Sequence, residues 1–480
     1  MTAYILIVED DHDFADTIQT VLRKISSSLI ITIACSRDSA IDLLENKFYD
    51  LVVLDLKIPV SDGLLETNSQ HGFAVFTKAQ AFVRGTPIFV LTGSSADDFI
   101  SYVADGARQV DIWGEGKEVK TIDFLPKHKF DQFPGKIRPT LLAIDSLSDV
   151  ELDVIDVNLS IADDRLIRIF SKRVGATNAQ VSALSGGLSG AKVLRVRATD
   201  AQGARVHDAV AKLGTLADVK DEVNRYDNFV SRLESRVTPR KLVTLETGAG
   251  SQAGVFYDVA ASFNETGFQA AFGSSAHVIA ALSGIKTGTS RWREGVPPSR
   301  RSVGDIRRRL ISDEKLALFY PHYELEWIAE FESKQVTVRW CCVHGDLHGE
   351  NILVAADGNM VLIDYGDVGE ATACLDPLTL EFSLLFHTKG ACYRKPGESS
   401  GWPSAEQAAD WGNLTEYVKG CPVETFVHSC RKWSNEVAAG QREVAVTAYS
   451  YLVRQLKYEN TNKELIFSLL MGVKKLYGTT

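Results

Sequence analysis

The sequence is poor in the features that mark secreted, zinc-stapled or membrane-spanning proteins. Its 480 residues include seven cysteines, and no two of them form a C-x-x-C pair. A disulfide framework or a structural zinc site is therefore not expected. No apolar run reaches the roughly 18 residues that a spanning helix needs, and the first residues lack the basic segment of a secretory signal. These absences favour a cytoplasmic protein that does not engage membranes.

Composition and charge are those of a globular chain with an acidic start. Hydrophobic residues make up 45% and charged residues 24%, and the length predicts two or three domains. The net charge is −10, and the first 150 residues carry 22 acidic against 14 basic side chains. An acidic N-terminal region argues against DNA binding. Proline and glycine interrupt the pattern in KHKFDQFPGKIRP, which indicates a boundary near residues 135–165.

The first 135 residues alternate short apolar runs with helical patterns. This alternation predicts an α/β fold with a doubly wound parallel sheet, of the flavodoxin-like type. Ligands bind beyond the carboxyl ends of the strands in such sheets. The polar residues that follow four of the runs should therefore converge: Glu9-Asp10-Asp11, Asp55, Thr92 and Lys127.

The chemistry of these converging residues is coherent. Several carboxylates in one pocket call for a hard cation such as Mg²⁺, and one of them could accept a phosphoryl group. A hydroxyl and an ammonium nearby would hold the phosphoryl oxygens. The set resembles the receiver domain of response regulators over about residues 3–135.

The receiver resemblance assigns a role to each residue. It implies a Glu9-Asp10-Asp11 metal pocket, with Asp10, Asp11 and Asp55 as metal ligands, Asp55 in LVVLDLKIP as phosphoacceptor, and Thr92 and Lys127 as the switch residues. Long stretches between these motifs, SDGLLETNSQHG and DIWGEGKEVK, depart from the family, as does His128 after the lysine. A degenerate receiver that serves only as a docking module is the alternative.

A second constellation lies in the C-terminal two-thirds. His344-Gly345-Asp346-Leu347-His348-Gly349-Glu350-Asn351 is followed by Ile363-Asp364-Tyr365-Gly366-Asp367. Phosphoryl transfer needs a carboxylate at the acceptor hydroxyl and metal ligands on the nucleotide phosphates. An aspartate with an asparagine five residues later, then Asp-aromatic-Gly after an apolar strand, matches the kinase catalytic loop and metal loop.

Partner elements of a nucleotide site can be found upstream. A glycine-rich turn contains Gly186, Gly187 and Gly190, which would let the backbone approach phosphates; a plain hairpin turn is the other interpretation. Lys212 lies in the strand-like AVAKL, the type of position that contacts nucleotide phosphates. Glu222 is the candidate ion-pair partner of Lys212, with Glu234 as an alternative.

Together these motifs resemble the aminoglycoside phosphotransferase branch of the protein-kinase-like fold, over about residues 165–480. The resemblance implies an α+β bilobal domain with an N-lobe at 176–260 and a C-lobe at 261–480, preceded by a helical linker at 136–175. It also implies Mg²⁺ and ATP in the cleft between the lobes.

The same resemblance distributes roles among individual residues. Asp346 would accept the proton of the acceptor hydroxyl, Asn351 and Asp364 would hold Mg²⁺, and Lys212, positioned by Glu222, would hold the nucleotide phosphates.

Neighbouring residues keep two interpretations each. His344 and His348 are expected to brace the loop rather than do chemistry. Asp367 could be a further metal ligand or a turn residue. Asp376 resembles an aspartate that follows the metal loop in this branch, and it could also cap a helix.

One segment is unusually basic. Residues 291–309 contain two acidic residues and seven arginines: Arg291, Arg293, Arg300, Arg301, Arg307, Arg308 and Arg309. The segment could dock a phosphorylated, acidic or nucleic-acid partner, or the acidic receiver, or it could be a solvated surface.

The sequence therefore predicts a bacterial two-component signalling protein. A histidine kinase or a small phosphodonor would phosphorylate Asp55, and this would control an ATP-dependent phosphotransferase acting on a hydroxyl acceptor. The alternative is a phosphorylation-controlled nucleotide-binding scaffold without turnover. Residues 261–340 match no motif and do not identify the acceptor.

Overall fold

The computed structural model describes residues 1–93, 108–185, 192–259, 263–323 and 325–479. These residues fold into two compact units, which are described separately. Unit 1 comprises Met1–Lys220 and Lys241–Val259, and unit 2 comprises Asp221–Arg240 and Ala260–Thr480.

Unit 1 contains two large sheets, two short two-stranded sheets and the helices that pack on them. Its strands are β1 (Ala3–Val8), β2 (Leu29–Ala34), β3 (Leu51–Asp55), β4 (Ile58–Pro59), β5 (Thr67–Asn68), β6 (Ile88–Thr92), β7 (Gln109–Val110), β8 (Val119–Lys120), β9 (Ile122–Pro126), β10 (Glu151–Ile155), β11 (Asn178–Ser185), β12 (Lys192–Thr199), β13 (Arg205–Thr215), β14 (Arg240–Leu245, which begins at the edge of unit 2) and β15 (Gln252–Asp258). Its helices are α1 (His12–Ile25), α2 (Arg37–Asn46), α3 (Ser69–Phe82), α4 (Phe133–Asp145) and α5 (Ile161–Arg173), and α6 (Leu216–Asn228) begins here and continues into unit 2.

The first sheet is parallel, with strand order β2-β1-β3-β6-β9. This order confirms the predicted doubly wound sheet. Alternate residues of β1 serve opposite faces, since Ile5 and Ile7 join one apolar core while Leu6 and Val8 join another. Such burial on both faces explains why its strands read as continuous apolar runs.

The second sheet has six strands in the order β10-β11-β12-β13-β15-β14. Its first pair, β10 and β11, is parallel, and the pairs from β11 through β12 and β13 to β15 are antiparallel. Strand β10 lies inside segment 136–175, which the sequence predicted to be a helical linker. That segment contains the end of α4, a strand of the sheet and α5.

An apolar core joins the two sheets of unit 1. Leu166, Ile169 and Phe170 of α5 belong to the same buried cluster as Ile5 and Phe256, one from each sheet. The rings of Phe170 and Phe256 stack with centroids 4.1 Å apart. Helix α5 therefore belongs to the core and is not a flexible connection.

Polar contacts fix the same junction. Arg165 of α5 is buried and places its Nε 2.7 Å from Asp50 Oδ1, while its Nη2 donates to the carbonyl of Thr2 over 2.7 Å. Gly85 N–H donates to the carbonyl of Gly250, and a Cβ added to Gly85 would lie 2.7 Å from that oxygen. These first-sheet residues precede β1, β3 and β6, so the second sheet contacts the amino ends of the parallel strands, opposite the ends where the polar motifs lie.

Unit 2 is mainly helical, with short sheets at its start and centre. Its strands are β16 (Phe263–Thr266), β17 (Ser299–Ser302), β18 (Gln335–Val338), β19 (Trp340–Val343), β20 (Ile352–Ala355), β21 (Met360–Leu362) and β22 (Gly369–Thr372). Its further helices are α7 (Gly267–Ala270), α8 (Ser275–Gly288), α9 (Val303–Arg308), α10 (Asp313–Ala317), α11 (Trp327–Glu332), α12 (Leu375–Phe386), α13 (Ala405–Ala409), α14 (Leu414–Tyr417), α15 (Glu424–Val437), α16 (Gln441–Gln455) and α17 (Lys463–Thr479).

The core of unit 2 surrounds α12, in which all twelve residues are buried. Helices α15, α16 and α17 pack their apolar side chains into the same cluster. Among the helices described, none is both long enough and apolar enough to cross a bilayer.

Candidate functional site

Three carboxylates meet at the carboxyl ends of the first sheet. Oxygen atoms of Glu9, Asp10 and Asp55 lie within 4.8 Å of one another. Lys127 places its Nζ 2.7 Å from Asp55 Oδ2 and 2.7 Å from Glu9 Oε2. Thr92 ends β6, next to β3, and is buried. The sequence-predicted Asp10, Asp55 and Lys127 thus form one pocket.

Asp11 has a different role from the one the receiver motif suggested. Its Oδ1 accepts hydrogen bonds from the N–H groups of Asp13 and Phe14, so it caps α1. Glu9 takes the third carboxylate place in the pocket. Because β1 ends at Val8, the two residues that immediately follow the strand are the ones that reach the pocket.

Burial gives this pocket unusual titration. Burial, followed by the neighbouring Asp55 charge, raises the pKa of Glu9 to about 7. Burial also raises the pKa of Asp55. Three carboxylates with one ammonium leave negative charge uncompensated, and oxygen ligands of this kind suit Mg²⁺. The residues present fit a divalent cation.

The loop that begins at His344 in unit 2 is held by a buried aspartate. The N–H of His344 donates to Asp376 Oδ2 over 2.9 Å, and the N–H of Gly345 donates to Oδ1 over 3.0 Å. Asp376 lies in the first turn of α12, whose N-cap residue is Cys374. The carboxylate therefore braces the loop and does not cap its own helix.

Gly345 is required by close packing. Its φ is +85°, and an added Cβ would lie 2.3 Å from the main-chain oxygen of Asp367. A side chain at this position would be strained and would also displace the backbone of residue 367. The glycine of His-Gly-Asp thus has a structural cause in this chain.

Two further contacts set the geometry around Asp346. His344 Nε2 lies 3.1 Å from the carbonyl of Ile363, a bracing position between the two loops. Asn351 Nδ2 donates to the carbonyl of Asp346 over 2.9 Å, which leaves the amide oxygen of Asn351 as the group suited to a cation.

Asp364 adopts left-handed backbone geometry, with φ +63°. Non-glycine residues in this region are uncommon and are enriched at functional sites. The next residue, Tyr365, donates its N–H to Glu222 Oε1 over 3.1 Å, and Glu222 is buried. Glu222 is therefore in contact with the metal-loop motif within unit 2.

The predicted nucleotide-binding elements belong to unit 1. Lys212 is buried in β13, opposite Val193 of β12 and Val255 of β15. Its pairing with Glu222 stays a prediction. Gly186, Gly187 and Gly190 lie outside the described residues.

The Asp346 carboxylate is partly open. Its side chain is 33% exposed, and Arg454 Nη2 lies 3.3 Å from Oδ1. His348 Nε2 is 3.7 Å from Oδ2, and burial lowers the pKa of His348, so this contact involves a neutral imidazole at pH 7. Burial, with the neighbouring His348, lowers the pKa of His387 to about 4. Arg454 carries no motif and was missed by sequence reasoning.

The arginine-rich segment does not form one open patch. Arg307 is buried between Glu332 and Asp313, and Arg308 pairs with Asp313 and Asp305.

The other five arginines of the segment are spread over different neighbours. Arg293 donates to the Lys286 carbonyl and Arg291 to the Arg232 carbonyl. Arg301 lies over the Trp340 ring, Arg309 donates to main-chain carbonyls, and Arg300 is exposed. The geometry gives the docking hypothesis no single surface.

Two family models match the chain. The response regulator receiver domain matches residues 5–110, and the phosphotransferase enzyme family matches residues 180–388. Among curated proteins, none matches the sequence.

Solved structures resemble parts of the chain. A CheY-like receiver protein from Methanospirillum hungatei JF-1 is 19% identical, covers 29% of this chain and 97% of its own, and has a TM-score of 0.21. The receiver domain of a sensor histidine kinase from Pseudomonas aeruginosa PAO1, with magnesium in its active-site cleft, is 18% identical, with coverages of 28% and 97% and a TM-score of 0.20. A type VIII aminoglycoside-3'-phosphotransferase is 17% identical, with coverages of 57% and 100% and a TM-score of 0.34.

The family matches agree with the two clusters of polar residues. The receiver match spans the three carboxylates, and the phosphotransferase match spans the loops of Asp346 and Asp364. The chain thus matches the response regulator receiver domain in its N-terminal region and the phosphotransferase enzyme family over residues 180–388.

Proposed function

We propose that this signalling protein receives a phosphoryl group on Asp55 and that the state of Asp55 controls an ATP-dependent phosphotransferase centred on Asp346. The observation that supports the proposal is that one chain contains both the carboxylate pocket around Asp55 and Lys127 and the braced loop of Asp346. A histidine kinase or a small phosphodonor would supply the first group, and ATP the second.

The receiver half of the proposal rests on the Asp55 pocket. Lys127 at 2.7 Å is placed to hold a phosphoryl oxygen, and the hydroxyl of Thr92 ends the neighbouring strand. Mg²⁺ held by Asp10, Asp55 and Glu9 would offset the charge of the incoming group. The buried setting makes the pocket sensitive to that added charge.

The transferase half rests on the braced loop. Asp346 would orient the acceptor hydroxyl and accept its proton, because its carboxylate is partly exposed while its backbone is fixed through Gly345 and Asp376. Asn351 and Asp364 would hold Mg²⁺, whose chemistry is to neutralise charge on the nucleotide phosphates. Lys212 would contact those phosphates.

The junction in unit 1 suggests how the two halves communicate. The receiver sheet and the sheet that carries Lys212 share one apolar core through α5. A change in the receiver would therefore act on a structure that is packed against the nucleotide-binding strands. Coupling of this kind needs different contacts in the two states.

The receiver step can be tested with acetyl phosphate as the donor. Intact-mass spectrometry should show a gain of one phosphoryl group in the presence of Mg²⁺, and Asp55→Asn should abolish it. Asp11→Asn is the matched control, since its carboxylate caps α1 outside the pocket, and it should still accept the group. Equal labelling of wild type and Asp55→Asn would contradict the assignment.

The transferase step can be tested by Mg-ATP turnover, with and without acetyl phosphate. We expect ADP formation that requires Asp346 and that changes when Asp55 is replaced. Nucleotide binding without Asp346-dependent transfer, across neutral, cationic and anionic hydroxyl acceptors, would instead identify a switchable scaffold. If turnover is the same in wild type and in a variant with Asp55 replaced, the transferase assignment stands and control by the receiver is excluded.

A further inference from the structure

Three arginines gather beside Asp346 in unit 2, although they come from distant parts of the chain. Arg225 lies on α6, Arg309 follows α9, and Arg454 is near the end of α16. Each contacts either Asp346 or the segment 367–370 that follows the metal-loop motif. They are called the arginine cluster below.

Arg309 is held by backbone atoms. Its Nη2 donates to the carbonyl of Asp367 over 2.7 Å, and its Nε donates to the carbonyl of Glu370 over 2.9 Å. Within the described part of the chain, it forms no ion pair within 4.0 Å. Main-chain carbonyls fix the guanidinium in place without neutralising its charge.

Arg225 brings a second guanidinium to the same place. Its Nη1 donates to the carbonyl of Val368 over 2.6 Å, and its Nε bonds Asp221 over 2.7 Å. A Cβ placed on Gly369 would lie 3.2 Å from Arg309 Nη2 and 3.9 Å from Arg225 Nη1. Two like charges are therefore close neighbours across Gly369.

Arg454 connects this group to the reacting position. Its Nη2 is 3.3 Å from Asp346 Oδ1, a longer contact than the 2.7 Å of Lys127 to Asp55. Burial lowers the pKa of Arg309, and the charges of Arg225 and Arg454 lower it further while Asp367 opposes them. Asp367 is exposed, and its contact with Arg309 is made by its main-chain carbonyl.

We propose that the acceptor of this phosphotransferase is a hydroxyl compound that also carries an oxyanion, a phosphate or a carboxylate, bound by Arg309 and Arg454. The inference rests on the proposed function, and it names the acceptor class for the same site. Guanidinium groups bind both oxyanions through paired N–H donors. A polycationic acceptor would meet repulsion from the same cluster.

The cluster explains how the acceptor is oriented. With the oxyanion on the arginines, the hydroxyl of the same molecule faces Asp346. Transfer forms a bond between the acceptor oxygen and the γ-phosphorus, breaks the bond from that phosphorus to the β–γ bridging oxygen, and passes the hydroxyl proton to Asp346. The arginines are positioning residues for the acceptor and take no part in proton transfer.

One acceptor series isolates charge from shape. Glucose, glucosamine, glucuronate and glucose 6-phosphate share a sugar ring and differ in charge, and the last two distinguish carboxylate from phosphate. We expect kcat/KM with Mg-ATP to be at least tenfold higher for an anionic member than for glucose, and lowest for glucosamine. Preference for glucosamine or glucose would overturn the inference while the proposed function stands.

A binding measurement makes the test independent of turnover. Inorganic phosphate is titrated calorimetrically into full-length protein saturated with Mg²⁺ and a non-hydrolysable ATP analogue. Arg309→Gln should weaken phosphate binding about tenfold or more, and Arg309→Lys should recover part of the loss. Arg442→Gln, an exposed arginine at the start of α16, is the matched control and should bind as wild type.

The outcomes separate the two claims. Asp346-independent turnover with every acceptor would remove the proposed function, and the phosphate titration would still report on the arginine cluster. Unchanged phosphate affinity in both Arg309 variants, with melting temperatures equal to wild type, would remove the anionic-acceptor inference. If Arg309→Gln melts lower, the folded Arg309→Lys variant and the acceptor series decide the question.

Discussion

Asp55 ends a strand of the first sheet and Asp346 lies in the loop that follows β19, and the surroundings of the two aspartates are nearly opposite. Asp55 is 4% exposed, whereas the Asp346 side chain is 33% exposed. Asp55 is paired with Lys127 at 2.7 Å, and Asp346 meets Arg454 at 3.3 Å. The first carboxylate is enclosed among other charges, while the second is open to a visiting molecule.

The difference follows from what fixes each residue. Asp55 is the last residue of β3, so the buried parallel sheet itself sets its position. Asp346 lies in a loop that depends on Asp376 and on close packing at Gly345. On the proposed function, Asp55 would itself be modified and can be enclosed, whereas Asp346 would receive a substrate and needs an open side chain on a rigid backbone.

Replacing Asp346 and Asp55 by asparagine, one at a time, should give the largest difference between the two sites. Asp346→Asn should lower phosphotransfer from ATP by about a thousandfold, since a general base contributes on that order. Asp55→Asn should leave the unstimulated rate within about twofold and abolish any response to acetyl phosphate. A thousandfold loss in Asp55→Asn, measured as ADP formation, would show that the two sites are not chemically separate.

Adding one methyl group should show how tightly the Asp346 loop is packed. Gly345→Ala should destabilise unit 2 by about 3 kcal/mol, because the new Cβ meets a carbonyl at 2.3 Å in a left-handed backbone. Gly397→Ala is the control, with φ +81° and open space around the new atom, and should cost about 1 kcal/mol. Urea unfolding measures both, and equal losses would mean that backbone strain alone explains the effect.

Removing each cation should sharpen the contrast in burial. Lys127→Met leaves Asp55 and Glu9 without their ammonium partner and should cost about 2 kcal/mol of unfolding free energy in the absence of divalent cations. Added Mg²⁺ should recover part of this loss. Arg454→Met should cost less than about 1 kcal/mol, since Asp346 remains solvated. A larger loss for Arg454→Met than for Lys127→Met would reverse the comparison.

Lowering the pH should reduce the free energy of unfolding through His387, which lies near Asp346. Its folded-state pKa, lowered to about 4, lies below the unfolded value, so the unfolded chain binds the extra proton first as pH falls. The stability contribution is present above about pH 6.5 and is lost as pH falls through 6.5 toward 4. His348, Glu350, Lys389 and Asp346 are the charged or titratable groups around this ring.

The measurement compares wild type with His387→Phe, which keeps an aromatic ring. Between pH 7 and pH 4.5, the free energy of urea unfolding should fall by about 1–2 kcal/mol less in His387→Phe than in wild type. His428→Phe is the control for replacing one histidine at an exposed position, because it leaves His387 in place. Identical slopes for wild type and His387→Phe would remove His387 as the cause.

The sequence predicted what short patterns encode. The strand ends at Asp55 and Thr92 and the spacing from Asp346 to Asn351 depend on local chain geometry, so they could be predicted without tertiary knowledge. The parallel sheet followed from the same alternation of strands and helices. Residue roles at both sites beyond these positions stay predictions.

Tertiary contacts explain what was missed. Arg454 approaches Asp346 from 108 residues away, and Asp376 braces a loop 31 residues upstream. Nothing local marks Arg454, and the motif that contains Asp376 left open whether this residue caps a helix or has another role. Glu9 and Asp11 could be told apart only from their side-chain contacts, in which Asp11 caps α1 and Glu9 lies beside Asp55. The basic segment looked like one surface because sequence proximity does not show that Arg307 is buried.

The Arg165–Asp50 pair has a consequence for how this chain can vary. The Arg165 guanidinium belongs to α5 and the Asp50 carboxylate precedes β3 of the first sheet. Loss of either partner leaves the other as an unpaired buried charge. Substitutions at positions 50 and 165 should therefore occur together among descendants of this protein, because the two residues pair across the junction between the two sheets. A receiver transplanted from another protein would need an aspartate to match Arg165 and a glycine at the Gly85 contact. We therefore expect the receiver and the sheet beside it to be inherited together.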